Sequence, residues 1–295
     1  MSEPARSEGF FVRRRTQREH QDALDTLARL FDEIDMWHER VHVTRQVEPH
    51  SHADIANQLS EPFQASHGAN YLLLTAVDHL HAVRTLMGQA QAQHIFAPYS
   101  LIRAALETAS AGLWILADDS PRETAIRALR LESINLAEVS KAYETVQGTD
   151  ADTTHRRAIL DDAIVRNGFQ RENIKGRAPG SLKIIQAACE AFDAGTTPVL
   201  MWQMCSAATH GRNWISGFLT MMDAQDDLQS KIIAGRLTSD EQGIVLAMYA
   251  ACDLVRRLFR VQMRRYTKHA HTGESFMSPQ LVLPQTGLFL PSRRM

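Results

Sequence analysis

The chain is poor in cysteine and aromatic residues, with 3 Cys and 7% Phe, Trp and Tyr, and it carries no large excess of either charge. Cys189, Cys205 and Cys252 stand far apart in apolar, helix-like surroundings without paired spacing. That argues against a disulfide scaffold or a zinc framework and for buried free thiols in a reducing compartment. The formal net charge of -2 argues against a dedicated nucleic-acid binder, which usually shows a strong basic excess. The first residues are polar and lack an apolar h-region, so no secretory signal is read. Nor is there a run of roughly 18 uncharged apolar residues, the length a membrane span needs. Residues 99–117 are interrupted by Arg103 and Glu107, and 199–222 by His210, Arg212 and Asn213. The expected location is the cytoplasm, with no membrane partner.

Strand-like alternation and internal repeats are missing too. So are the phosphate-binding Gly-x-x-x-x-Gly-Lys, the Gly-x-Ser-x-Gly elbow, Gly-x-Gly-x-x-Gly and Cys-x-x-Cys. What remains is helical periodicity along most of the chain. It predicts helices at 15–42, 67–93, 98–118, 120–148, 151–167, 181–193, 198–210 and 238–268, with a turn or helix at 213–222 and an ambiguous stretch at 224–237. In the first helix Leu24, Leu27, Leu30, Phe31 and Ile34 supply the apolar face. Capping boxes are expected at Ser120 to Glu123 and at Thr238 to Glu241. The fold class is all-α: a single-domain bundle of about seven to nine helices over 15–272, sequential helices being mostly antiparallel. Residues 1–14 are expected to form a flexible tail, and 273–295 a flexible or docking one.

Within this scaffold the segment 99–116 is apolar almost all round, yet Arg103, Glu107 and Ser110 fall on one narrow stripe. A helix apolar over so wide an arc is normally buried, and buried charges need partners. An Arg four residues before a Glu is also the less favourable order on an exposed helix. A buried network, structural or functional, explains the pair better. The segment 199–211 repeats the pattern: Gln203, Ser206 and His210 share a face within about 60°. Gly211 is placed to close that helix in the left-handed conformation, with His210 at its C-terminus. Glu132 intrudes on a third apolar arc, formed by Ala125, Leu129, Leu136, Val139 and Tyr143, where Arg103 is a candidate partner. Arg127 lies on the polar side of that helix and Arg130 between. Asp78 and His81 share a face of the second long helix. These lines are expected to meet, with the side chains of His210 and Glu107 within about two hydrogen-bond lengths.

Eight of the 13 histidines lie between residues 38 and 94. Glu39 and His42 have the Glu-x-x-His spacing of di-iron bundles, but no second such motif lies on a buried face, so no metal or other cofactor is expected. The last helix carries Arg257, Arg260 and Arg264 on one face below Asp253. This is a solvated face or a strip for phosphates, helped by Arg13, Arg14 and Arg15.

Arg103 with Glu107, Arg127 with Arg130, and Ser206, His210 and Gly211 together resemble a group of uncharacterised, mainly actinobacterial all-helical proteins over roughly residues 70–222. More distantly the chain is similar to the HEPN superfamily of abortive-infection and toxin–antitoxin systems. That resemblance implies a metal-independent ribonuclease working across a dimer. His210 would be the general base or stabiliser, Arg103 the phosphate ligand and Glu107 the orienting group. Active members place a His four to six residues after an Arg. Here His210 precedes Arg212, while Arg45 to His50 and Arg264 to His269 keep the spacing. Three functions stay open. One is a binding or regulatory module, homo-oligomeric, whose polar cluster (Gln203, Ser206, Glu132, Asp78 and Arg130 with the first three) is structural or holds a small ligand. The others are a HEPN-like ribonuclease or degraded toxin, and a partner- or RNA-binding protein using its basic C-terminal helix.

Overall fold

The computed structural model describes residues 16–268 except 44, 93, 147, 149–150, 177–178 and 227–232. The expected tails at 1–14 and 273–295, and Arg13 to Arg15, lie outside the described residues. The helix that is apolar almost all round, α4 (Ala97–Leu116), is the centre of the bundle. Eleven of its 20 residues are buried, more than a single apolar stripe supplies, so it needs neighbours on several sides. They are α3 (Ala65–Arg84), α8 (Ser181–Ala191), α9 (Thr197–Thr209) and α11 (Glu241–Tyr266). Gly112 allows the closest approach: a Cβ there would stand 2.7 Å from a methyl of the fully buried Leu258.

Partner positions give the helix directions. Gly68 of α3 faces Ile115 near the far end of α4, so these sequential helices are antiparallel. The first long helix, α1 (Gln17–Val41), runs against α3, with Phe31 beside Gly88 and Asp35 joined to Arg84 at 2.6 Å. It lies parallel to α11, joined by His20–Glu241 at one level and Glu33–Arg256 at another. Its apolar stripe turns Leu27, Leu30 and Ile34 inward, whereas Leu24 is exposed.

A second, smaller cluster gathers around α5 (Pro121–Thr145). Ala125, Leu129 and Leu136 pack with Leu160 and Ile164 of α6 (Ala151–Arg166), with Phe169, and with Ile174 of the single-turn α7 (Arg171–Lys175). The expected arc does not extend to Val139 and Tyr143, which are exposed because α5 outruns its partners there. Against α5 lies α2 (His52–Ser60), a helix that periodicity left hidden in the histidine-rich connection. Together there are nine helices of seven residues or more among the described residues. The bundle is all-α in class, with one addition.

That addition is an antiparallel hairpin, β1 (Thr220–Asp226) and β2 (Ile233–Ser239), following the four-residue helix α10 (Ser216–Leu219). The turn or helix expected over 213–222 is present from Asn213 to Leu219, and the hairpin takes over from Thr220 and fills the ambiguous stretch at 224–237. Its base is tied to the core: Asp240 N–H donates to the Leu219 carbonyl at 2.9 Å, and the buried Tyr99 hydroxyl lies 3.1 Å and 3.2 Å from the Leu219 and Asp240 carbonyls.

Neither expected capping box forms. Ser120 and Asp240 occupy the N-cap positions without side-chain caps. Glu123 pairs with Arg127 and Glu241 with His20 instead. Among the described residues a capping box is formed by Thr16 with Glu19, at the start of α1.

His52 Nε2 stands 3.0 Å from Thr124 Oγ1 where α2 meets α5. Burial, reinforced by the Arg265 charge, lowers its pKa to about 4, with Asp119 and Asp118 pulling the other way. The fold therefore keeps His52 neutral, while the unfolded chain takes up a proton near the ordinary histidine value of about 6.5. Stability present above that pH is lost as pH falls toward 4. Allowing for partial exposure, urea unfolding at pH 5 rather than 7 should show a loss of about 1 kcal/mol that His52→Gln removes. An unchanged slope in the variant would contradict this assignment.

Candidate functional site

The polar lines read from the sequence separate. Arg103 and Glu107 do pair, at 3.0 Å, each partly buried. What crosses from α9 to meet them is Trp202, whose indole N–H donates to Glu107 Oε1 at 2.7 Å. One turn beyond Arg103's start of the pair, Thr209 bonds Ser100 at 3.1 Å. These two contacts make α4 and α9 antiparallel and put His210 at the Ser100 end. That is about two turns, or about 10 Å along the axis, from Glu107. The expected His210–Glu107 meeting is thus corrected: His210 and Gln203 are exposed, and Ser206 is partly buried.

His210 is the C-cap of α9. Gly211 has φ +63°, its N–H donates to the Ala208 carbonyl, and Arg212 N–H donates to that of Ala207. This is the two-bond Schellman closure. Burial pushes the Cys205 thiol up to about 12, with the Arg103 charge pulling the other way. Cys189 is pushed up to about 11 in the same way, and the buried Cys252 further. All three thiols are free and protonated, hence poor nucleophiles.

The remaining candidates are scattered. Glu132 pairs with Arg156 at 2.7 Å rather than with Arg103. Arg130 faces α7 near Gly176 in the smaller cluster. Asp78 is exposed, and His81 turns instead to Asp35 and stacks on His38 with ring centroids 3.8 Å apart. Arg127, expected on a solvated face, packs over the Trp114 ring and donates to the Trp114 carbonyl at 2.9 Å, satisfying the C-terminal end of α4. Arg257 is held by Asp253 and the Phe192 carbonyl, which leaves Arg260 and Arg264 as the exposed members of the basic strip.

The strongest site lies elsewhere. A cavity of about 300 Å³ opens between the end of α1, the segment after it, the first half of α3 and the last turns of α11. Its position follows from two ties. Glu48 N–H donates to the Tyr266 carbonyl at 2.9 Å, and Lys268 N–H to Glu48 Oε2 at 2.7 Å, which lay the chain around residues 45–48 along the end of α11. The buried Tyr266 hydroxyl lies 3.0 Å from both the Ser66 carbonyl and Asn70 Oδ1, fixing α11 to α3. Burial raises the Tyr266 pKa, so this phenol stays protonated, Arg45 pulling weakly the other way.

Gln262 of α11 borders this cavity, with 0% exposure and with neither Nε2 nor Oε1 partnered among the described residues. A buried amide so placed costs on the order of 1–3 kcal/mol. Beside it Arg45 lies 4.9 Å over the Phe259 ring, and its buried Nη1 has no hydrogen-bond partner among the described residues. Burial lowers the Arg45 pKa, with Tyr266 opposing and Arg40 reinforcing that shift, and no carboxylate among its neighbours offsets it. Val41, Leu73, Leu74 and Phe259 form the apolar wall, and Arg40, His67 and Tyr71 stand exposed at the mouth. Among the described residues no Asp or Glu lines the cavity. Concave, largely apolar sites with a few convergent polar groups are the usual form of small-molecule sites, at about 300–1,000 Å³. Compared with family models, with curated proteins and with solved structures, the chain gives no match.

One sequence signal could have located it. Val255, Phe259, Gln262 and Tyr266 follow helical spacing along the apolar stripe of α11, and the amide stands inside that stripe. Groups of three or more His, Cys, Asp or Glu able to hold a metal do not occur among the described residues, and none of the described helices is long and apolar enough to cross a membrane.

Proposed function

We propose that the protein is a helical binding module that holds a small polar organic molecule in the cavity between α1, α3 and α11. The observation that carries this reading is the cavity itself, bordered by a fully buried Gln262 amide whose donor and acceptor have no partner among the described residues. Buried polar groups in folded proteins almost always have partners, and a ligand whose entry shifts the cavity wall enough to uncover this amide would supply them. The reading favours binding over catalysis: among the described residues the cavity is lined by no carboxylate or thiol to act as base or nucleophile, and the histidine that lines it, His67, is exposed. The Arg103–Glu107–Trp202 group then serves as a structural clamp between α4 and α9.

The test is a fragment library of small polar organic molecules read by amide NMR on the ¹⁵N-labelled protein. Hits are expected to shift the side-chain NH2 signals of Gln262 and Asn70 together, and Gln262→Leu should remove those hits while leaving the backbone spectrum folded. Hits that scatter over the surface and leave the Gln262 side chain unmoved would overturn the reading.

A further inference from the structure

We propose that the end of α1 is an acid-sensitive latch: the stacked rings of His38 and His81 hold the last turn of α1 on α3 while neutral and release it when both are protonated. Resting on the reading that the cavity binds a small ligand, the latch governs that binding, because the turn it holds is part of the cavity wall.

The rings face each other across the two helices, with centroids 3.8 Å apart and planes inclined by 11°. His42, one turn further along α1, meets His38 edge-on at 5.0 Å. Neutral aromatic rings attract in such arrangements. Two imidazolium rings at that separation repel, and partial burial keeps water from screening them fully.

The surrounding charges decide whether that repulsion is met. From α1 come Asp35 and His42, and from α3 Asp78 and Arg84. Asp35 already accepts from Arg84 Nε and Nη2 through Oδ2, at 2.9 Å and 2.6 Å, and its Oδ1 stands 3.7 Å from His81 Nε2. A carboxylate shared with a guanidinium has charge for one imidazolium and not for two. Burial, the facing His38 and Arg84 lower the His81 pKa, and Asp35 and Asp78 oppose them without prevailing. The fold therefore binds protons here less readily than the unfolded chain. Stability at this seam is full above the ordinary histidine value of about 6.5 and is lost as pH falls below it.

The same turn carries the wall. Arg40 and Val41 line the cavity from α1, and Val43 from just beyond it. Trp37 stays packed on Phe259 of α11, with ring centroids 5.9 Å apart. Losing the His38–His81 contact thus leaves α1 anchored as far as Trp37 and loosens the residues after it.

The test is NMR on the full chain with ¹³C-labelled histidine and valine from about pH 8 to about pH 5, the span in which histidine changes charge. His38 and His81 are expected to titrate in two steps about one pH unit apart, as coupled groups do. The Val41 and Val43 methyl signals should move with the lower step. His81→Phe keeps a flat ring against His38 and removes the second charge, so the methyls should stay still throughout; His38→Phe should do the same from α1. Uncharged members of the fragment library that bind the cavity at the upper pH should lose about tenfold in affinity at the lower one and regain it in His81→Phe.

Coincident titration of the two rings with the methyls unmoved would overturn the latch. So would a methyl response that survives in both phenylalanine variants, which would belong to His67 in the cavity lining, or fragment binding equal at the two pH values. If no fragment binds at either pH, the cavity reading falls, and the methyl response alone decides the latch.

Discussion

Replacing Glu33 by leucine is expected to cost about 3–5 kcal/mol of stability. Glu33 and Arg256 form the most buried ion pair among the described residues, with side chains 9% and 12% exposed and two bonds of 2.7 Å and 2.5 Å between guanidinium and carboxylate. The guanidinium also lies 5.8 Å over Trp37 and 5.7 Å over Tyr249. Burial alone would lower the Arg256 pKa, and the bond to Glu33, with further help from Cys252 and Asp253, reverses the shift to a net rise. Without Glu33 the cation stays buried and loses its partner, while the two rings hold it away from water. Removing both members behaves differently. Glu33→Leu with Arg256→Met replaces the pair by apolar contacts and should recover most of the loss. Urea unfolding of the two single variants and the double variant measures this directly. A Glu33→Leu variant within 1 kcal/mol of the parent would show that the pair contributes nothing net.

The second large effect has the opposite sign. Gln262→Leu should stabilise the unliganded protein by about 1–2 kcal/mol, because an apolar group of similar volume replaces an amide that is buried without hydrogen bonds. Gln262→Glu should destabilise it, since a carboxylate at the same point adds charge to the same burial. Parent melting temperature is thus expected between the two, with the leucine variant above and the glutamate variant below. Residues kept at a cost to stability mark functional sites, and the leucine variant should be both the more stable protein and the one that no longer binds. A lower melting temperature for Gln262→Leu would show that the amide is satisfied in solution, and the site would lose its main support.

Much of the bundle was legible because helical period is a local property. The wide apolar arc of α4 announced a central helix, and Gly211 announced the end of α9. The Arg103–Glu107 pair was visible from spacing alone. Partnership across helices was not. Glu132 finds Arg156 and not Arg103, and Trp202 reaches Glu107 where His210 was expected. Both outcomes depend on the direction and register of helix packing, which a stripe of residues does not encode. An indole N–H on an apolar helix does need an acceptor, so Trp202 itself carried the missed signal.

The hairpin was missed for a different reason: Asp223, Ala224, Gln225 and Gly235 are poor strand formers and show no alternation. The cavity escaped because its walls come from α1, α3 and α11, far apart in sequence. Inside the apolar stripe of α11, one amide was easily read as an interruption rather than as a feature.

The parallel contact of α1 with α11 bears on how the chain reaches this fold. Glu33 meets Arg256 across 223 positions, and His20 meets Glu241 across 221. Closing so long a loop is entropically unfavourable before any contact rewards it. Such long-range pairings slow folding relative to helical proteins built from local contacts. During synthesis α4 emerges long before α11, so its broad apolar surface waits for the last helix to cover it. The nascent chain therefore passes through a stage in which its greasiest helix is exposed, the stage at which aggregation or chaperone capture competes with folding.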